Sequence, residues 1–130
     1  MPGRVMICDD AMFMRCVIGG ALREAGYEIV AEASSGEDAV VQYQAARPDL
    51  VTMDMVMPDV SGLEAVERIR GLDGEARILM VSAIGQDALV RKCLAAGASG
   101  FVHKPFTKDE LLRTVAECLA ERAAAPAVRP

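Results

Sequence analysis

Hydrophobic and polar positions along the chain alternate between two patterns. Val5 to Cys8, Leu50 to Met53 and Ile78 to Val81 are almost continuously apolar, as strands covered on both faces of a parallel sheet must be. These runs predict central strands. Glu28-Ile29-Val30-Ala31-Glu32 mixes charge with β-branched residues and suits an edge, and Phe101-Val102 begins a short fifth strand after Gly100. Between the first two runs the period changes. Met14, Val17, Ile18, Ala21, Leu22 and Ala25 form one helical stripe, and Leu112, Val115, Ala116 and Leu119 repeat it near the C-terminus. Ser35-x-x-Asp38, Ser61-x-x-Glu64 and Thr107-x-x-Glu110 mark helix starts, where a hydroxyl caps free N–H groups and an acid favours the positive helix end. Gly26, Gly71 and Gly97 stand where helices should stop. The remaining helices are expected near Gly36 to Ala46, Gly62 to Arg70 and Gln86 to Ala96.

Strand and helix thus alternate five times. That alternation calls for an α/β, doubly wound, five-stranded parallel sheet with right-handed crossovers and five helices on its two faces. Residues 1–122 are read as one domain. Residues 123–130 carry two prolines and no stripe, and are read as a flexible C-terminal tail.

Composition narrows the function. A chain of 130 residues fits a single domain and hides roughly two thirds of its unfolded surface. Hydrophobic residues make up 52% of it, with only two Tyr, three Phe and no Trp, so aliphatic side chains and eight Met must fill the core. The net charge of −5 argues against nucleic acid or anionic membrane as a partner. Cys8, Cys16, Cys93 and Cys118 lie in apolar stretches without C-x-x-C spacing and read as reduced core thiols. No apolar run approaches membrane-spanning length, and the first residues lack a secretory pattern. A cytoplasmic monomer is expected.

Ligands of open parallel sheets bind beyond the carboxyl ends of the strands, where strand order reverses. There the first strand ends in Asp9-Asp10, the third in Asp54, the fourth in Ser82, and the fifth leads into Lys104-Pro105. Three carboxylates on one rim repel by about 4 kcal/mol per pair at about 4 Å and an effective dielectric near 20. A cation is required among them. All-oxygen ligands with no His or Cys nearby point to a hard ion such as Mg²⁺, which takes one or two carboxylates, waters and a phosphate. Lys104 and the Ser82 hydroxyl supply the positive charge and donor that phosphate oxygens want. The set describes a phosphoryl-transfer site. Asp54 is the best nucleophile, since an Asp oxygen can hold phosphorus as an acyl phosphate. It follows an apolar strand, precedes Met55-Val56-Met57-Pro58, and has no other acid within four positions.

Taken singly, these residues have plainer readings. Asp9 and Asp10 could cap a helix, Ser82 could form a turn, and Lys104 could be a solvated loop charge. Met53, Met55 and Met57 alternate like soft Cu(I) ligands but read as core filler. His103 reads as a solvated neighbour of a strand end, and Arg91-Lys92 as a solvated helix face.

The joint motif resembles a response-regulator receiver domain, in particular the free-standing chemotaxis regulators of the CheY type. Five features carry it in order: Asp9-Asp10; Asp54 with Met57-Pro58 and Gly62; Ser82-Ala83; Phe101; and Lys104-Pro105. The resemblance covers about residues 3 to 122 and implies strand order 2-1-3-4-5. It further implies that Asp54 is the phospho-acceptor, Asp10 a direct Mg²⁺ ligand, Asp9 a ligand through water, and the Val56 carbonyl a further ligand. Lys104 would contact the phosphoryl group. Ser82, Ala83 and Phe101 would form the switch, with Phe where some relatives have Tyr. The implied partners are a chemotaxis-type histidine kinase, the flagellar motor switch reached through residues 86–120, and a phosphatase. Within the family, a free-standing phosphorelay intermediate is the alternative. An aspartate-nucleophile phosphatase would want an acid at Val56, and a flavin carrier would want a Ser/Thr/Gly-rich loop where Asp9-Asp10 stand.

Overall fold

In the computed structural model, residues 3–84 and 86–120 are described. Five strands alternate with five helices: β1 (Arg4–Cys8), α1 (Met12–Glu24), β2 (Glu28–Ala33), α2 (Gly36–Ala46), β3 (Leu50–Met53), α3 (Gly62–Leu72), β4 (Ile78–Ser82), α4 (Asp87–Ala95), β5 (Gly100–His103) and α5 (Lys108–Ala120). All pairings are parallel, in the order β2-β1-β3-β4-β5. The three continuously apolar runs are the three inner strands. The charged run is an edge. Residues 121–122 and the tail read at 123–130 lie outside the described residues.

Alternation along each inner strand divides the core into two layers. Val5, Ile7, Leu79 and Val81 pack against Ile18 and Leu22 of α1 and against Leu111, Val115 and Cys118 of α5. Met6, Cys8, Val51, Met53, Ile78 and Met80 face α2, α3 and α4 through Val40, Tyr43, Val66, Ile69 and Cys93. Thr52 interrupts this apolar interior, and its buried hydroxyl has no hydrogen-bond partner among the described residues.

All three hydroxyl caps form: Ser35 accepts from the Asp38 N–H at 3.1 Å, Ser61 from Glu64 at 3.2 Å, and Thr107 from Glu110 at 3.0 Å. Glu110 accepts in return from the Thr107 N–H, which closes a full capping box. Gly26 and Gly97 follow their helices at φ 98° and 114°.

Four expectations need correction. Gly71 does not stop α3, which continues to Leu72 and is capped at Asp73, because an exposed glycine weakens a helix without breaking it. In α1 the buried stripe is narrower than the sequence pattern, with Ile18 and Leu22 covered and Val17 and Ala25 outside it. The buried face of α5 is Leu111, Val115 and Cys118; Leu112 and Leu119 flank it, while Ala116 is exposed. Cys16 is exposed on α1, so only Cys8, Cys93 and Cys118 are core residues.

Candidate functional site

Parallel pairing in register brings the carboxyl ends of β1, β3, β4 and β5 to one rim: Cys8 lies beside Met53, Met53 beside Met80, and Ser82 beside His103. Asp9, Asp54 and Lys104, which follow β1, β3 and β5, therefore share this rim with Ser82, the last residue of β4. Asp9 follows β1, its N–H bonded to the Ala33 carbonyl at 3.0 Å, and Asp54 follows β3, its N–H bonded to Cys8 at 2.9 Å. One carboxylate oxygen from each of Asp9, Asp10 and Asp54 lies within 4.8 Å of the others. Asp9 is 1% and Asp54 8% exposed, whereas Asp10 faces solvent.

Lys104 reaches this cluster from the loop after β5, where the Lys104–Pro105 peptide bond is cis. Its N–H donates to the Ser82 carbonyl at 2.9 Å. Its Nζ lies 2.7 Å from Asp9 Oδ2 and 3.6 Å from Asp54 Oδ1. One ammonium thus serves two buried carboxylates, with a third beside them. Burial is the main influence on Asp54 and raises its pKa above the usual carboxylate range; Lys104 opposes this, Asp9 adds to it, and the Met55 N–H and the Ser82 hydroxyl favour the charged form.

Three oxygen-rich, like-charged groups held this close, with a single nearby ammonium, fit a hard divalent cation. Sulfur does not compete for it. Met53, Met55 and Met57 are all buried, as core filler would be.

Neither Asp9 nor Asp10 caps α1. Its N-cap is Ala11, without a side-chain cap bond. Asp9 Oδ1 instead accepts from the Ala11 N–H at 2.9 Å, and this fixes the carboxylate toward the rim. The capping reading of these acids is set aside. The Ser82 oxygen accepts from the Ile84 N–H at 3.3 Å, so the plainer turn role and the site role coincide in one side chain. Ala83 and Val56 are exposed on their loops. Phe101 lies away from the acids: it is half-buried against the layer that contains α4, with its ring 4.9 Å from that of the exposed His103.

One site-building residue escaped the sequence reading, and another was read for its motif alone. Arg15, one turn into α1, donates to the Asp9 carbonyl at 2.7 Å and to Glu32 at 3.1 Å, fixing the turn that carries both acids. An arginine within a helical stripe gives no signal of this. Gly62 was singled out, but not for its physical role. A Cβ there would lie 2.1 Å from the Asp54 carbonyl oxygen, so only glycine lets α3 start against the backbone of Asp54.

The response regulator receiver domain family matches residues 5–116, and receiver domains bind Mg²⁺ at an acidic pocket like the one formed by Asp9, Asp10 and Asp54. The chain is 44% identical over 119 residues to the chemotaxis protein CheY of Bacillus subtilis, covering 92% of this chain and 99% of that one. It is 41% identical over 115 residues to CheY of Thermotoga maritima, covering 88% and 96%. Its fold superposes on a chain of the CheX–CheY–BeF₃–Mg²⁺ complex from Borrelia burgdorferi with a TM-score of 0.90 and 32% identity, over 93% of this chain and 92% of that one. Agreement of this extent in sequence and fold means that the chain belongs to the response regulator receiver domain family, as a CheY-type member of a two-component system.

Proposed function

We propose that residues 1–122 form a chemotaxis switch in which Asp54 receives a phosphoryl group from a phosphohistidine on a kinase. Receiver domains are signalling switches, so the product is a changed surface. The observation that carries this reading is the crowding of Asp9, Asp10 and Asp54 within 4.8 Å of one another, with the ammonium of Lys104 against Asp9 and Asp54. Asp10 and the Val56 carbonyl would hold Mg²⁺ directly and Asp9 through water, with Asp54 as a further ligand. When bound, the ion would offset the charge that gathers on the phosphoryl oxygens.

The chain's own groups have distinct tasks. An Asp54 oxygen forms the bond to phosphorus as the bond from phosphorus to the donor nitrogen breaks. The Met55 N–H, 2.9 Å from Asp54 Oδ1, orients that carboxylate. Lys104 and the Ser82 hydroxyl bind phosphoryl oxygens. Drawing the hydroxyl toward the new group would vacate space into which Phe101 turns, with Ala83 carrying the connecting backbone. Because Phe101 packs on the α4 side, that turn would alter the face built from α4, β5 and α5, which we assign to the flagellar motor switch.

A protein donor suits the surroundings of the rim. Met12 and Phe13 at the start of α1 are 67% and 76% exposed, beside the loop that carries Asp9 and Asp10. Adjacent exposed apolar side chains next to a charged site suit docking of another protein. The Borrelia burgdorferi CheY is found in complex with CheX, and a phosphatase partner of that kind is part of the proposal. A cytoplasmic location follows from this reading; among the described residues no helix is long and apolar enough to cross a membrane.

Incubation with Mg²⁺ and acetyl phosphate, followed by intact-mass measurement, tests the chemistry. One phosphate should be gained, removed by hydroxylamine, suppressed by chelation and absent from Asp54→Asn. An unmodified wild-type chain would refute the assignment. Pull-down with motor-switch peptides, with and without phosphorylation, separates a motor regulator from a relay intermediate.

A further inference from the structure

The loop from Met55 to Ser61, which carries the Val56 carbonyl, is anchored at both ends and at its tip. At its ends, the Gly62 N–H donates to the Met55 carbonyl at 2.8 Å, and the start of α3 lies against Asp54. The tip anchor is Asp59. This residue sits in the left-handed region at φ 62°, a conformation that Asp and Asn tolerate better than other side-chain-bearing residues. Its Oδ1 accepts from the Val60 N–H and, across the fold, from the Glu37 N–H in the first turn of α2 at 3.2 Å. Ser35 already satisfies the Asp38 N–H, so α2 begins with one cap from the residue just before it and a second from this loop. Contact is close enough that a Cβ at Gly36 would lie 2.0 Å from the Val60 carbonyl oxygen.

We propose that Asp59 is a positioning residue for the cation site, its carboxylate pinning the β3–α3 loop to the N-terminus of α2 so that the Val56 carbonyl, three residues earlier, is held at the rim. The proposal rests on the Mg²⁺ reading given above. Val56 itself is 57% exposed, so its own side chain restrains it little and the restraint comes mainly from its neighbours. Without the clamp, the loop must be ordered when the ion binds, and the affinity falls by the cost of that ordering.

Mg²⁺ titration calorimetry of the wild-type chain, Asp59→Asn and Asp59→Gly, each with a metal-free thermal melt in chelator, provides the test. Asn keeps an oxygen acceptor and tolerates positive φ while losing the charge; Gly keeps the backbone conformation and loses the acceptor. Asp59→Gly should bind Mg²⁺ about fivefold more weakly than wild type, the effect of roughly one lost hydrogen bond. Asp59→Asn should stay within about twofold of wild type on the same scale. Equal affinity in wild type and Asp59→Gly would overturn the proposal, even if the melting temperature fell, since a purely structural cap lowers stability alone. Equal weakening in Asn and Gly would overturn it too, by assigning the effect to charge. If the wild-type chain itself binds no Mg²⁺, the functional reading fails first and this proposal with it.

Discussion

The two rims of the sheet handle carboxylates in opposite ways. At the amino ends of the strands, Asp49 and Asp73 each have donors of their own. Asp49 accepts from the Arg4 N–H at 2.8 Å, while the Arg4 guanidinium closes α2 by donating to the Ala46 and Arg47 carbonyls, each at 2.9 Å. Asp73 accepts from the Tyr43 hydroxyl at 2.7 Å and from the Glu75 N–H at 3.0 Å, with Arg47 nearby. The Tyr43 hydroxyl is the main reason the pKa of Asp73 falls below the usual carboxylate range. At the carboxyl ends, Asp9 and Asp54 share Lys104 with Asp10 beside them, and burial moves Asp54 the other way. One rim pairs its acids internally, and the other leaves three clustered carboxylates with one ammonium. Local rules that fail in one place while holding elsewhere in the same domain mark where stability yields to function.

The largest test of that contrast is to supply the missing charge. Mg²⁺ at about one hundred times its dissociation constant should stabilise the chelated protein by about 2.7 kcal/mol, read as a rise in melting temperature. Asp10→Asn should remove most of this gain, whereas Asp49→Asn at the opposite rim should leave it intact. An equal Mg²⁺ response in both variants would erase the distinction between the rims.

Cutting a pair at the satisfied rim should cost somewhat less. Tyr43→Phe removes a hydrogen bond to a carboxylate and should destabilise by about 1.5 kcal/mol at neutral pH. Its pH dependence has a defined sign. The folded state holds Asp73 ionised below its unfolded pKa, so this stabilisation is full above the ordinary carboxylate range and is lost as pH falls through the lowered value. Urea denaturation between neutral and acid pH should show wild type and Tyr43→Phe converging at the acid end.

Asp54→Asn should do the reverse. The raised pKa of Asp54 means that the folded chain pays for ionising it as pH rises through the interval between the ordinary and the raised value. In chelator the variant should be more stable than wild type at neutral pH, by roughly 1 kcal/mol or less, with the gain vanishing in acid. A destabilised Asp54→Asn under those conditions would mean that the carboxylate is well satisfied without metal. Smallest of all, Gly20→Ala in α1 adds a methyl group that meets nothing within 4 Å. It should stabilise by about 0.5–1 kcal/mol by helix propensity alone, measured by the same denaturation.

Much of this architecture was legible because local chemistry and tertiary structure agree. Nearly continuous apolar runs of four or five residues suit strands covered on both faces, and Ser35, Ser61 and Thr107 each cap the helix they precede. The rim acids were legible through topology, since parallel strands whose last residues, Cys8 and Met53, pair in register deliver Asp9, Asp10 and Asp54 to one end. What escaped depends on spacing that sequence does not encode locally. Whether Val17 or Ile18 meets the core turns on the pitch of α1 against the sheet. Likewise, the bonds from Arg15 to the Asp9 carbonyl and from the Glu37 N–H to the Asp59 carboxylate join residues whose proximity exists only after the chain has folded.

The most direct measurement of the central claim is to locate the phosphorylated residue. After reaction with acetyl phosphate and Mg²⁺, borohydride reduction converts an aspartyl phosphate to homoserine, and tandem mass spectrometry of the digest reads its position. The account predicts homoserine at position 54 alone. Homoserine at 9 or 10, or at no acid of the rim, would contradict it.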